Sequence, residues 1–218
     1  MVPVTFTKEL SMLSAREFAA LLVEELKMRA LVVGPDFALG HGREGTPAVL
    51  SALGREMGFT VEVVPPLEES SQVISSTALR QALAVGDMTK VTSFLGRPFA
   101  LTGPVARGAY RGHGLGFPTA NIIPDRELAL PSLGIYVTRA HLQGAVHKSV
   151  TSIGVRPTFN ELDVVVETYI MDFQREIYGQ TLRVEVLLRL RPEERFDSIE
   201  ALKAQIERDI LAAREALS

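Results

Sequence analysis

The punctuation of the chain changes at Gly96-Arg97-Pro98, and no one pattern of strands and helices fits both sides. Before that point, strand and helix signals alternate. Pro3–Phe6 reads as a short apolar strand. Ser14 with Glu17 forms a capping box, and Phe18, Leu21, Leu22 and Leu26 follow at helical spacing. Ala30–Val33 is a second strand, ended by Gly34-Pro35. Thr46-Pro47 opens a helix with proline at its first position, and Gly58 closes it. Thr60–Val64 is a third strand. Ser76–Val85 and Asp87–Leu95 are two short helices ended by Gly86 and Gly96. This order argues for a parallel sheet with right-handed crossovers, an α/β domain over residues 1–96.

Beyond Pro98 the apolar stretches are short, β-branched and separated by frequent turn signals. Ile135–Thr138, Ser149–Ile153, Val164–Ile170 and Leu182–Leu188 predict an antiparallel barrel or sandwich. Asp197 with Glu200 resembles a capping box, and Ile199, Leu202, Ile206, Ile210 and Leu217 mark one face of a terminal helix. The expected second domain is therefore residues 97–218.

Composition removes several chemistries. The 218 residues include no cysteine, which excludes disulfides, thiolate catalysis and Cys-based zinc sites. A net charge of −3 implies no broad attraction to nucleic acid. No apolar run approaches the roughly 20 residues of a membrane span. MVPVTFTKEL lacks a basic region followed by an apolar core, so a cytoplasmic protein is expected.

The stretch GPVARGAYRGHGLGFPTANIIP, residues 103–124, carries the most chemistry. Gly103, Gly108, Gly112, Gly114 and Gly116 leave backbone amides uncovered, open to a phosphate. Arg107, Arg111 and His113 add positive charge. After Pro118, an extended Thr119–Ile123 would place Thr119 and Asn121 on one face. Their neutral oxygens suit a partly hydrated Mg²⁺ that nucleotide phosphates also hold. The plain alternative is a glycine-rich hairpin with a proline turn.

Phosphoryl transfer to an alcohol also needs a proton acceptor. Glu167 stands in an otherwise apolar strand, with Val165 and Tyr169 as its same-face neighbours. It is either a solvated edge position or a carboxylate held at a site.

LGFPTANI (115–122) is followed by LPSLGIYV (130–137), SIGVRPTF (152–159), VETYIMDF (166–173), IYG (177–179) and LRPEERFDSIEALKAQIERDI (190–210). Their order and spacing resemble the C-terminal half of the bacterial bifunctional riboflavin kinase/FMN adenylyltransferase family. The resemblance implies an antiparallel riboflavin-kinase β-barrel with a C-terminal helix. It also implies transfer of the ATP γ-phosphate to the 5′-hydroxyl of riboflavin, giving FMN and ADP with Mg²⁺ as cofactor. It makes Glu167 the general base, Thr119 and Asn121 the metal ligands, and Gly103 to Pro118 the ATP loop. Arg191, Glu193 and Phe196 would then help shape the flavin pocket. Their plain alternative is a solvated charge run with Phe196 covering the core. Tyr136 and Tyr169 are expected in the core. Many family members carry Arg or Lys where this chain has His113, so a weaker phosphate contact is expected there.

LVVGPDFALGHGREG (31–45) and ISSTALR (74–80) resemble two segments of the family's adenylyltransferase domain, implying a partial Rossmann-like nucleotidyltransferase fold. Ser75, Ser76 and Thr77 would offer helix N-terminal amides to a phosphate, with Arg80 one turn on. The alternative is N-capping by Ser76 and a solvated Arg80. The family's HxGH-type nucleotide site occurs nowhere in the sequence, and residues 4–18 resemble a point well inside the domain. The expectation is that the first part of that domain lies outside this chain, and that the chain makes FMN without FAD. Two further readings stay open: a bifunctional enzyme completed by the missing part, and a non-catalytic flavin-binding module.

Overall fold

The computed structural model describes residues 3–107, 115–125, 127–157 and 162–218. The chain divides into two compact units, Met1–Val73 and Ile74–Ser218.

In the first unit, α1 (Lys8–Ser11) begins at Thr7, whose hydroxyl accepts the Leu10 N–H at 3.3 Å. The capping box of α2 (Ala15–Leu26) forms as the sequence predicts: Ser14 accepts from Glu17 N–H, and the Glu17 carboxylate accepts from Ser14 N–H. β1 (Ala30–Val33) runs parallel to β2 (Thr60–Val63), joined through α3 (Pro47–Met57). Gly58 ends α3 in the left-handed conformation. Ala15, Ala19, Leu50, Leu53 and Phe59 form the apolar centre of this unit. A two-stranded hairpin follows, β3 (Glu68–Glu69) against β4 (Gln72–Val73). Pro3–Phe6 is not a strand, and Val4 and Phe6 are exposed. Apolar composition alone makes no ladder without a sheet edge to pair with. The parallel sheet thus has two strands among the described residues.

The second unit opens with α4 (Ser76–Val85) and α5 (Met88–Leu95). Ser75 caps α4 and Asp87 caps α5. The sequence groups these helices with the first half, but Ala82, Leu83, Met88 and Val91 are buried in the same cluster as the barrel interior. That shared core joins α4 and α5 to the barrel within the compact unit Ile74–Ser218.

Six strands close into the barrel: β5 (Phe99–Ala106), β6 (Ala120–Ile122), β7 (Gly134–Leu142), β8 (Ala145–Pro157), β9 (Leu162–Ile170) and β10 (Thr181–Arg191). Their order around it is β10-β5-β6-β9-β8-β7, with every pairing antiparallel. Leu101, Ile122, Tyr136, Ile153, Val166 and Val184 fill the interior. A chain of buried hydroxyls crosses it, from Ser149 to Thr138 (2.7 Å), Thr151 (2.9 Å) and Thr168 (3.0 Å). Outside, α6 (Ile199–Ala216) packs on the barrel: Ala213 shares a cluster with Val137, Val150 and Met171. Its cap is Ser198, whose hydroxyl accepts the Ala201 N–H at 3.1 Å. The predicted Asp197/Glu200 box is one residue out of phase, because Ser198 holds the extended conformation that a cap requires. Among the described residues no helix is long and apolar enough to cross a membrane.

Candidate active site

Strand side chains alternate, so Val166 and Ile170 point into the barrel while Glu167 and Tyr169 point outward, toward α6. Register then sets one row across the outer face. Arg191 pairs with Ile135, Ile135 with Ser152, Ser152 with Glu167, and Glu167 with Asn121. Directly paired residues share a face, so one register collects these side chains from β10, β7, β8, β9 and β6.

An outer cavity of about 300 Å³ lies over this row. Glu167, Ser152 and Ile135 line it from the barrel; Arg191, Glu193 and Phe196 line it from the segment before α6; Leu202, Ile206 and Asp209 line it from α6. Tyr169 is also in its wall, with its ring edge-on to Phe117 at 5.8 Å. Tyr136, by contrast, is fully buried, and its hydroxyl donates to the Ser132 carbonyl.

A second cavity of about 280 Å³ opens on the inward-facing side of the same strands. Val105, Ala120, Thr168 and Ile170 line it together with residues 173–178. Two guanidinium groups stand beside it: Arg175 lies 5.2 Å from the Phe173 ring centre, and Arg107 lies 5.6 Å from that of Tyr178. Thr119, just before β6, lines both cavities.

Asn121 is 8% exposed. Its Nδ2 donates to the Thr119 carbonyl at 3.4 Å, while its buried Oδ1 accepts no hydrogen bond among the described residues. An orphaned amide oxygen is a costly group to bury, and a hard cation would satisfy it. The residues present therefore fit Mg²⁺, with Thr119 adjacent. Among the described residues no group of three or more His, Cys, Asp or Glu gathers to hold a metal; the donors here are neutral oxygens.

Five charged residues, Glu167, Arg191, Glu193, Glu194 and Asp209, line the outer cavity. Burial pushes the Glu193 carboxyl up, and the nearby charge of Glu167 adds to that, while Arg191 opposes it. Glu193 packs over Gly154 so closely that a Cβ at 154 would collide with its Oε1. Hydrogen bonds to Asp209 raise Arg191 above its ordinary value, against burial.

The structure thus brings Thr119, Glu167, Arg191, Glu193 and Phe196 to one cavity, with Asn121 beside Glu167. Pro118 lines the inner cavity. Gly103, read from sequence as part of the phosphate loop, lies inside β5 opposite Leu182. There a Cβ would stand 2.8 Å from Ile122 Cγ2, so the backbone packs closely at this position. Gly108, Arg111, Gly112, His113 and Gly114 lie outside the described residues. Ser75, not Ser76, caps α4 by accepting from Ala78 N–H at 3.2 Å; Ser76, Thr77 and Arg80 lie in its first turns. Sequence reasoning missed Ser152, Gln205 and Asp209. Only the register marks Ser152, and Asp209 sits in a charged helical run that reads as a solvated face.

The riboflavin kinase family model matches residues 95–217, and the FAD synthetase model matches residues 1–78. A bifunctional riboflavin kinase/FMN adenylyltransferase of Escherichia coli K12 is 39% identical over 97% of this chain and 68% of its own length. The Bacillus subtilis protein of the same name is 34% identical over 94% of this chain and 66% of its own. A crystal structure described as a macrolide-efflux protein from Streptococcus pneumoniae superposes with a TM-score of 0.86 at 32% identity, covering 96% of this chain and 67% of that one. Sequence, barrel topology and family match agree, and the chain belongs to the bifunctional riboflavin kinase/FMN adenylyltransferase family.

Proposed function

We propose that the two cavities are the two substrate sites of a riboflavin kinase, with riboflavin in the outer cavity and ATP in the inner one. Family membership makes the chain an ATP-dependent riboflavin kinase. The observation that supports this assignment of sites is the place of Thr119 in both cavities, next to the Asn121–Glu167 pair. In this reading the ribityl chain lies along the row from Arg191 toward Glu167, and the γ-phosphate reaches the 5′-hydroxyl around the start of β6.

Glu167 accepts the proton of that hydroxyl as its oxygen bonds to the γ-phosphorus. The bond to the ADP oxygen breaks, leaving FMN and ADP. Asn121 Oδ1 and the Thr119 side chain would hold Mg²⁺, which when bound neutralises phosphate charge. Arg107 and Arg175 supply further positive charge on the nucleotide side, and the walls of α6 and residues 191–196 keep water from the acceptor hydroxyl. The kinase proper spans residues 97–218, with α4 and α5 as scaffold. The test is FMN formation from riboflavin, ATP and Mg²⁺, compared between the wild-type chain and Glu167→Gln.

The match of residues 1–78 to the FAD synthetase model supports a second reading, adenylyl transfer to FMN. Ser75, Ser76, Thr77 and Arg80 would then hold part of the triphosphate at the start of α4. FAD formation by this chain, abolished by Arg80→Ala, is the result that reading requires.

A further inference from the structure

Arg191 ends the cross-barrel row at the outer cavity, and its guanidinium is held by α6. Nε donates to both Asp209 oxygens, at 3.0 and 3.2 Å, and Nη2 donates to Oδ2 at 2.8 Å. Nη1 donates to the Pro192 carbonyl at 3.0 Å. Gln205, one turn earlier on α6, donates its amide to Asp209 Oδ1 at 2.9 Å. Asp209 is 6% exposed and the Arg191 side chain 14%. A forked pair of this kind fixes the plane of the guanidinium as well as its position. The guanidinium carbon lies over the Phe196 ring, 5.7 Å from its centre. Arg191, Phe196 and Asp209 all line the cavity.

We propose that Asp209 is a positioning residue for the flavin: by clamping Arg191 it holds the guanidinium, which lies over the Phe196 ring, as a preset wall for the planar isoalloxazine. The proposal rests on the assignment of the outer cavity to riboflavin. A planar conjugated ligand gains most from a wall already ordered before it arrives, because no side chain has to be ordered on binding. Asp209 touches no reacting atom in this arrangement. Its loss acts on riboflavin affinity and leaves the phosphoryl transfer step and ATP use alone.

The experiment measures riboflavin KM, ATP KM, kcat and thermal midpoint for four variants of the full chain. Asp209→Asn raises riboflavin KM about tenfold, with kcat and ATP KM within about twofold, since a charged fork is replaced by a weaker neutral contact. Asp209→Glu recovers part of that loss. The double variant Arg191→Met/Asp209→Leu replaces a buried ion pair by apolar side chains, which commonly preserves stability. It regains the thermal midpoint that Asp209→Asn loses by leaving Arg191 without its charged partner, but keeps the raised riboflavin KM. Recovery of both would make the pair a structural clamp only and overturn the proposal, as would a wild-type riboflavin KM in Asp209→Asn. Ile206→Trp fills the outer cavity from α6 and abolishes riboflavin binding. Unchanged binding there would remove the cavity assignment itself, a failure distinct from that of Asp209.

Discussion

Asn121 on β6 and Glu167 on β9 are direct cross-strand partners, so a buried amide oxygen and a carboxylate stand side by side on the outer face of the barrel. Residues distant in sequence become one site because β6, only three residues long, pairs with β9 on one side and β5 on the other.

Removing either neutral oxygen should weaken the use of Mg²⁺-ATP. Asn121→Ala and Thr119→Ala are expected to need more Mg²⁺ for half-maximal rate, with Asn121→Ala the more severe because its oxygen is buried with no partner among the described residues. Initial rates against Mg²⁺ concentration measure this. Two unchanged Mg²⁺ curves would remove both residues from the metal site.

Gly154 lies directly against the Glu193 carboxylate, with no room for a methyl group. Gly154→Ala should turn the Glu193 side chain aside while the fold persists, since the colliding atom is the far end of a flexible side chain. The expected cost is about 1 kcal/mol, a roughly fivefold rise in riboflavin KM with ATP KM unchanged. Steady-state kinetics with each substrate varied in turn separates the two.

The Glu193 carboxyl is pushed up by burial and by Glu167. Between its ordinary and its raised value the folded chain binds more protons than the unfolded one, so stability falls as pH rises through that window. Glu193→Gln removes that slope. Its thermal midpoint should exceed that of the wild type near neutral pH by no more than about 2 °C, because the side chain keeps solvent contact. The difference should shrink as pH falls below the ordinary glutamate range. A midpoint difference that does not vary with pH would contradict the upward shift.

Local chemistry was legible in the sequence where local chemistry decides. Ser14 with Glu17 delimits a helix through reciprocal side-chain caps, Gly58, Gly86 and Gly96 through left-handed backbone, and the structure keeps them there. β5 was hidden because Gly103-Pro104 reads as a turn, although the strand runs through both and pairs with β10. Pro3–Phe6 failed in the opposite sense: a strand-like composition stays irregular unless another edge pairs with it. Glu167 was visible as a carboxylate among apolar residues. Asp209 was not, because QIERDI carries the charge density of a solvated helix face and only packing shows that one of its carboxylates is buried. Ser152 needed the register of β8 against β9.

In the proposed mechanism Glu167 takes the proton of the riboflavin hydroxyl. The direct measurement is single-turnover FMN formation by the 218-residue chain and by Glu167→Gln, each saturated with riboflavin and Mg²⁺-ATP, with riboflavin, FMN and FAD separated. The wild type is expected to form FMN, and Glu167→Gln to form it about 10²–10⁴-fold more slowly with riboflavin and ATP affinities retained. A variant that forms FMN at the wild-type rate would contradict this mechanism.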